Sequence, residues 1–100
     1  MPKNPPPEHC PAVRILTERG KADLYVDGIL TGHRISEEAK NLAWEILRQV
    51  IPEGTEVSIG INGFAAFGIT LQQAEALAPR LTQVWRADSG LGPAPALLTP

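Results

Sequence analysis

Residues 13–28, VRILTERGKADLYVDG, decide the fold because apolar and polar side chains alternate on both sides of one turn signal. Side chains two residues apart lie on the same side of a strand, so each half predicts one strand. The Arg19-Gly20 pair between the halves can reverse the chain. A hairpin built on it pairs apolar with apolar and acid with base, which makes the register self-consistent. The expected partners are Ile15 with Leu24, Val13 with Val26, and Glu18 with Lys21.

The chain also contains a weak internal sequence repeat. Asp27-Gly28 recurs as Asn62-Gly63 at a spacing of 35 residues (27 to 62), and a helical pattern follows each pair. Asp-Gly and Asn-Gly predict type I′ turns, which require positive φ at both central residues. The same spacing aligns apolar positions of the two helical segments, namely Ala39 with Ala74, Leu42 with Leu77, Ala43 with Ala78, and Ile46 with Leu81. We therefore expect two pseudo-duplicated hairpin-helix units.

The first helical segment starts at Ser36, a favourable N-cap, with Glu37 and Glu38 in the first turn. Pro52 and Gly54 mark its end. Apolar residues at helical spacing predict one buried stripe. Its members are Ala39, Leu42, Ala43, Ile46, Leu47 and Val50.

The second helical segment follows Thr70, which forms a capping-box pattern with Gln73. Its apolar stripe comprises Leu71, Ala74, Leu77, Ala78, Leu81, Val84 and Trp85. Pro79 lies within this stripe, so we expect the helix to be kinked or split in two there.

The remaining strands complete an α+β fold. Residues 57–61 alternate, Asn62-Gly63 turns the chain, and residues 64–69 return, with Phe67 expected opposite Ser58. Residues 29–34 form an optional third strand, or a loop. The predicted order is β-β-(β)-α-β-β-α, a two-layer sandwich with a mostly antiparallel sheet and two helices on one face. The alternatives are a sheet without the third strand, and helices on both faces.

Composition indicates a single small domain. The chain has 100 residues, 43% apolar, with a formal net charge of −2. Prolines cluster at both ends, so we expect a tail over 1–11, a folded domain over 12–89 and a second tail over 90–100. One cysteine, no signal-peptide pattern and no membrane-length apolar run favour a cytoplasmic protein without membrane contact.

The same alternation predicts that the sheet face away from the helices carries exposed apolar groups. The inner face collects Ile15, Leu24, Val26, Val57, Ile59, Ile61 and Phe64. The opposite face collects Arg14, Leu16, Tyr25, Leu30 and Phe67, with Arg14 beside Tyr25 in cation–π geometry. Such a patch indicates a protein partner or a homodimer. A cover formed by the C-terminal tail through Leu97 and Leu98, or scattered surface hydrophobes, are the alternatives.

Trp44 is a second candidate for partner binding. It falls outside the first apolar stripe, beside Lys40 and Arg48, where an exposed tryptophan is a typical anchor. The alternative is packing against the edge between helix and sheet. Trp85 lies on the second stripe and is expected in the core.

Few residues suggest site chemistry. Cys10, His9 and His33 lack metal-ligand spacing, no pairing predicts a catalytic residue, and no cofactor motif is present. His33 and Arg34 precede a helix N-terminus and form a possible anion site.

Three functions follow, in order of preference. The first is a non-enzymatic protein-interaction module, such as an adaptor, inhibitor or accessory subunit, that uses the open sheet face. The second is a nucleic-acid-binding module using the basic end of the first hairpin, which would comprise Arg14, Arg19, Lys21, His33 and Arg34. The third is a small ligand- or anion-binding domain at the first helix N-terminus.

Overall fold

A computed structural model describes residues 10–91 of the chain. Its elements are β1 (Ala12–Glu18), β2 (Lys21–Asp27), a 3₁₀ turn (Ile29–Thr31), α1 (Glu37–Val50), β3 (Val57–Ile59), β4 (Gly63–Ile69) and α2 (Leu71–Ser89). The predicted α+β fold is confirmed, in the form with two hairpins and two helices. Most of both predicted tails, including Pro5, Leu97 and Leu98, lies outside the described residues.

The first hairpin forms as its side-chain pattern predicts. Glu18 pairs with Lys21 and Ile15 pairs with Leu24, which confirms the predicted register. Arg19 and Gly20 have φ values of 55° and 80°. Positive φ at two consecutive central residues is what a tight hairpin turn needs to match the strand twist.

The prediction of type I′ turns at the two echoed pairs is wrong. Gly28 has a φ of −109°, and the chain continues into the 3₁₀ turn instead of reversing. Asn62 and Gly63 are both absent from the positive-φ residues of the described chain. The second hairpin instead turns at Ile61 and Asn62, where the amide of Gly60 donates to the carbonyl of Gly63 over 2.9 Å.

The sheet has four antiparallel strands in the order β1-β2-β4-β3. β4 pairs with the edge of β2 that β1 leaves free. A strand following Asp27 would therefore have no partner, because both edges of β2 are occupied. This explains why the optional third strand over residues 29–34 is replaced by a short 3₁₀ turn and a loop.

The register of the second hairpin differs from the prediction by two residues. Ser58 pairs with Ala65, and the amide of Phe67 donates to the carbonyl of Glu56 over 2.9 Å. Phe67 therefore does not lie opposite Ser58. Because the shift is an even number of residues, the paired residues of β3 and Phe64 to Phe67 of β4 keep their predicted faces, whereas Ile61 moves into the turn.

A β-bulge in β4 determines where Phe67 and Ile69 point. Leu24 pairs with Ala66 and Ala22 pairs with Ile69, so Phe67 and Gly68 together face the single residue Asp23. Gly68 has a φ of 68°, and its amide donates to a carboxylate oxygen of Asp23 over 2.9 Å. Strict alternation would place Ile69 on the same face as Phe67; the extra residue shifts the alternation by one, so Ile69 is buried in the core while Phe67 stays on the other face.

Both helices begin at the predicted caps. The hydroxyl of Ser36 accepts from the amide of Ala39 in α1, and Thr70 forms a complete capping box with Gln73 in α2. Leu42, predicted in the α1 stripe, is 52% exposed, so the stripe is narrower than expected. Leu71 and Ile61, also predicted to face inward, are exposed as well.

Pro79 does not split α2, which runs from Leu71 to Ser89 as one helix. The ring removes the amide that would bond to the carbonyl of Glu75. Pro79 lies on the exposed side of the helix, where water can reach that carbonyl.

The core lies between the sheet and the two helices, which cover the same face of the sheet. α2 packs chiefly over β2 and reaches β1 and β4, whereas α1 packs over β3 and against α2. The largest fully buried side chains are Trp85, Leu24, Leu47, Leu77, Leu81 and Val26. Over residues 10–91, neither helix combines the length and apolarity that a bilayer crossing requires.

Candidate functional site

The open face, defined as the sheet side away from α1 and α2, carries a row of three interacting side chains. The guanidinium carbon of Arg14 lies 5.2 Å from the centre of the Tyr25 ring, which confirms the predicted cation–π contact. The rings of Tyr25 and Phe67 are 5.7 Å apart at 75°, an edge-to-face arrangement. The row therefore crosses β1, β2 and β4, and each member restricts the rotamers of the next.

Small residues beside this row leave a shallow hollow of about 310 Å³. Tyr25 and Phe67 line it together with Ser58 of β3, Ala65 of β4 and Gly60, which follows β3. Ala65 is directly paired with both Tyr25 and Ser58 across β4. Because the side chains of Ser58, Gly60 and Ala65 are small or absent, the hollow exposes both aromatic ring edges and main chain.

Leu16 and Leu30 differ in their relation to this row. Leu16 pairs with Asp23 on the same face and is 50% exposed. Leu30 belongs to the 3₁₀ turn beyond the end of β2 and is 83% exposed. Of the predicted partner-binding residues, the structure thus gathers Arg14, Tyr25 and Phe67, places Leu16 nearby and leaves Leu30 outside.

A separate polar cluster joins the start of α1 to the end of α2. Asp88 accepts hydrogen bonds from the Ser36 amide (3.0 Å) and the Ser36 hydroxyl (2.6 Å). A third contact, of 2.7 Å, joins its carboxylate to Nε2 of His33. The His33 ring meets Trp85 edge-to-face, with 5.4 Å between centres. The cluster ties the two helices together at one end.

Asp88 remains ionised over a wide pH range in this setting. Burial opposes its charge, but the hydrogen bonds from Ser36 and the contact with His33 outweigh it and lower the pKa of Asp88. A carboxylate of the protein itself thus occupies the position at the α1 N-terminus where the sequence suggested an external anion. Arg34 next to it is exposed.

Trp44 lies in the helical layer, on the other side of the sheet from Tyr25. It is 41% exposed and lines a groove of about 590 Å³ between the end of α1 and β3. Leu47, Ile51 and Val57 supply apolar walls, and Arg48 adds one charge. Trp44 is therefore partly packed against the boundary between helix and sheet and partly open, and it does not join the open face.

The remaining candidates are dispersed. Cys10 is exposed, and its sulfur accepts from the Arg86 guanidinium over 3.4 Å. Within the described range 10–91, no three metal-binding side chains come together. Arg19 and Lys21 lie at the turn end of the first hairpin, whereas His33 and Arg34 follow the opposite end of β2. The basic side chains suggested for nucleic acid binding are therefore not gathered at one end of the first hairpin.

Ala65 and Asp88 were not singled out from the sequence. Ala65 could have been found by alternation, because it lies two residues before Phe67 on the same strand. Asp88 gave no such signal, since its partners are 52 and 55 residues away.

The chain matches no protein-family model, no curated protein and no solved structure. Any proposal of function must therefore be based on the geometry of the open face.

Proposed function

We propose that this protein is a non-enzymatic protein-interaction module that docks a partner on the open face. The observation that supports it is the row of Arg14, Tyr25 and Phe67 beside an unfilled hollow. Neither helix covers this side of the sheet within the described chain. The proposal includes no turnover and no cofactor, and it keeps the cytoplasmic location suggested by the sequence.

The chemistry of this surface suits a partner that inserts one large apolar side chain. The edge-to-face pair is already ordered, so little side-chain entropy is lost on binding. Tyrosine and arginine are enriched among residues that dominate binding energy, because each combines a large contact area with a polar group. The floor of small residues lets an incoming group approach the backbone of β3 and β4.

The proposal leaves Trp44 out of the docking surface, because it lies in the helical layer across the sheet from Tyr25. Oligonucleotide binding is disfavoured, because the basic side chains are spread from the hairpin turn to the loop before α1 and are accompanied by Glu18, Asp23 and Asp27.

The test compares capture of partners from native lysate by the parent protein and by Tyr25→Ser and Phe67→Ser. Leu30→Ser is the matched control, because it removes an exposed apolar group outside the face. We expect the first two variants to lose a partner that Leu30→Ser retains, with unchanged circular dichroism. Equal capture by all four proteins would refute the open face as the docking surface. If the protein retards oligonucleotides in a gel, and if salt or Arg14→Ala abolishes this mobility shift, the nucleic-acid alternative would be favoured.

A further inference from the structure

β1 presents a long unpaired edge. It is seven residues long and stands first in the strand order, and among residues 10–91 only β2 pairs with it. The other edge strand, β3, has three residues, and short edge strands offer little to pair with. Residues 12–18 contain no proline and pair with β2 in an uninterrupted register, so two common protections of a sheet edge are missing.

The outward backbone groups of β1 follow from its register. The two-residue turn closes on Glu18 and Lys21, which form a hydrogen-bonded pair in such hairpins. Hydrogen-bonded and non-hydrogen-bonded pairs then alternate along the strand. The N–H and C=O groups of Val13, Ile15 and Thr17 therefore point away from β2, toward the free edge.

At the free edge of β1, the side chains on both faces of the strand are largely exposed, which leaves room for another strand. Ile15 is half-buried, and the other six residues of the strand are exposed. Val13 lies on the side of the helices and is still 42% exposed. α2 therefore reaches β1 but leaves the Val13 side chain largely uncovered.

The side chains on the open-face side of β1 are self-complementary. Arg14, Leu16 and Glu18 lie in sequence on this side, with opposite charges equally spaced about the leucine. If a second β1 lies antiparallel with Leu16 facing Leu16, each Arg14 faces a Glu18. We propose that a second copy of this chain pairs with β1 in this register.

Neighbouring registers lack this complementarity. Centring the pair on Arg14 sets the two guanidinium groups against each other. Centring it on Ile15 sets Arg14 against Leu16. Only the arrangement centred on Leu16 joins both charge pairs, and it also leaves Ile15 and Thr17 as the hydrogen-bonded pairs that their outward groups require.

This pairing goes beyond the proposed function, because it names a second copy as a further partner at the edge of β1 and joins two open faces. One row across the eight-stranded sheet would run from Tyr25 to Arg14, then to Glu18 and Lys21 of the second copy. Cation and anion alternate along that row. One strand edge buries less surface than a standard protein interface, so we expect a dissociation constant in about the micromolar to millimolar range.

The experiment measures sedimentation velocity at protein concentrations from about 10 µM to 1 mM. The parent should shift toward a dimer as concentration rises, and added salt should oppose the shift because the charge pairs are exposed. Arg14→Glu and Glu18→Arg each place like charges together and should remain monomeric. The double variant Arg14→Glu/Glu18→Arg restores opposite charges and should dimerise again.

Glu45→Arg is the control for net charge, because Glu45 is exposed on α1 in the other layer. It should dimerise like the parent. A monomeric parent at every concentration, or a double variant that does not recover, would overturn the pairing.

A backbone substitution tests the same edge independently of charge. Thr17→Pro removes an outward amide without touching the bonds to β2, and proline is tolerated on edge strands. Its circular dichroism should match the parent while the dimer is lost. The hydrogen-exchange rates of the backbone amides of Val13, Ile15 and Thr17 should fall as the concentration of the parent rises. Exchange rates that do not depend on concentration would contradict the proposal.

Phe67→Ser separates this inference from the proposed function. Phe67 lies on β4, two strands away from the edge, so the variant should lose the docked partner and still dimerise. Loss of dimers by Glu18→Arg and Thr17→Pro, which lie outside the row of Arg14, Tyr25 and Phe67, together with retained partner capture supports both statements. A monomeric parent whose partner capture depends on Phe67 refutes the pairing alone.

Discussion

At Gly28 the indole ring of Trp85 lies so close to the main chain that a Cβ atom would come within 2.5 Å of its Nε1. The carbonyl of Asn62 accepts both the indole N–H and the Gly28 amide, each over 3.1 Å. At Gly63 a Cβ atom would overlap the carbonyl oxygen of Val26. The two echoed glycines are thus needed for close packing.

Replacing Gly28 with alanine should therefore destabilise the protein. The φ of −109° suits alanine, so the cost is steric overlap with Trp85, about 1–3 kcal/mol in the free energy of unfolding. Gly60→Ala is the matched control, because its nearest neighbour would lie at 3.8 Å, and its effect should stay within about 0.5 kcal/mol. Urea unfolding measures both, and equal midpoints would contradict the packing role of Gly28.

Asp88 should make stability depend on pH on the acid side. Its pKa lies below the ordinary value of 3.8 in the folded chain, so the unfolded chain binds the proton first. Its contribution is complete above the unfolded pKa and is lost as the pH falls through the lower, folded pKa.

The measurement is the difference in unfolding free energy between the parent and Asp88→Asn at several pH values. It should be steady near neutral pH and shrink below pH 3.8. A difference that stays constant down to the acid transition would show that the carboxylate charge is not used in this way.

At the scale of the element, α2 illustrates how packing overrides local propensity. Proline in a helix interior is less favourable than alanine by about 3 kcal/mol. α2 still forms, because one side of it buries Ala74, Leu77, Leu81 and Trp85 against the sheet and α1. Pro79 is exposed, so its ring takes no part in that packing.

Pro79→Ala should accordingly stabilise the protein. The substitution returns an amide to the carbonyl of Glu75 and removes no buried contact, so the gain should be about 1–3 kcal/mol. Gln72→Ala, at another exposed position of α2, should change stability by no more than about 0.5 kcal/mol. Thermal denaturation of the two variants compares them, and a lower melting temperature for Pro79→Ala would contradict this reading.

At the scale of the whole molecule, the two hairpin-helix units are interlocked. α1 follows the first hairpin but packs over β3 of the second, and α2 packs chiefly over β2 of the first. β2 and β4 pair at the centre of the sheet. Each unit therefore completes the core of the other, and neither is expected to fold alone.

The two tryptophans report on this arrangement. Trp85 is 1% exposed, whereas Trp44 is open on the helical layer. In Trp44→Phe the remaining emission should be resistant to iodide quenching until the chain unfolds. In Trp85→Phe, with folding checked by circular dichroism, the emission of Trp44 should be readily quenched. Equal quenching of both variants would contradict the placement of Trp85 in the core.

Much of the fold could be predicted because it depends on short-range patterns. The first hairpin register follows from alternation over residues 13–27, and both helix starts follow from Ser36 and Thr70. The contact of Arg14 with Tyr25 and the face of Phe67 were predictable for the same reason, since a strand sorts its side chains by parity, whereas the contact of Tyr25 with Phe67 depends on the pairing of β2 with β4. The second hairpin shows the limit of such patterns, because Asn62-Gly63 resembles a turn signal while Ile61-Asn62 forms the turn.

By itself, the sequence determined which side chains share a face and where the helices start, because neighbours along the chain set these features. Only the tertiary structure decided the pairing of β2 with β4, the helix exchange between units and the contact of Asp88 with Ser36. Those contacts join residues far apart in the chain, where packing of the whole core selects among locally equivalent arrangements. The predicted third strand does not form for that reason, because β4 occupies the edge of β2 with which it would pair.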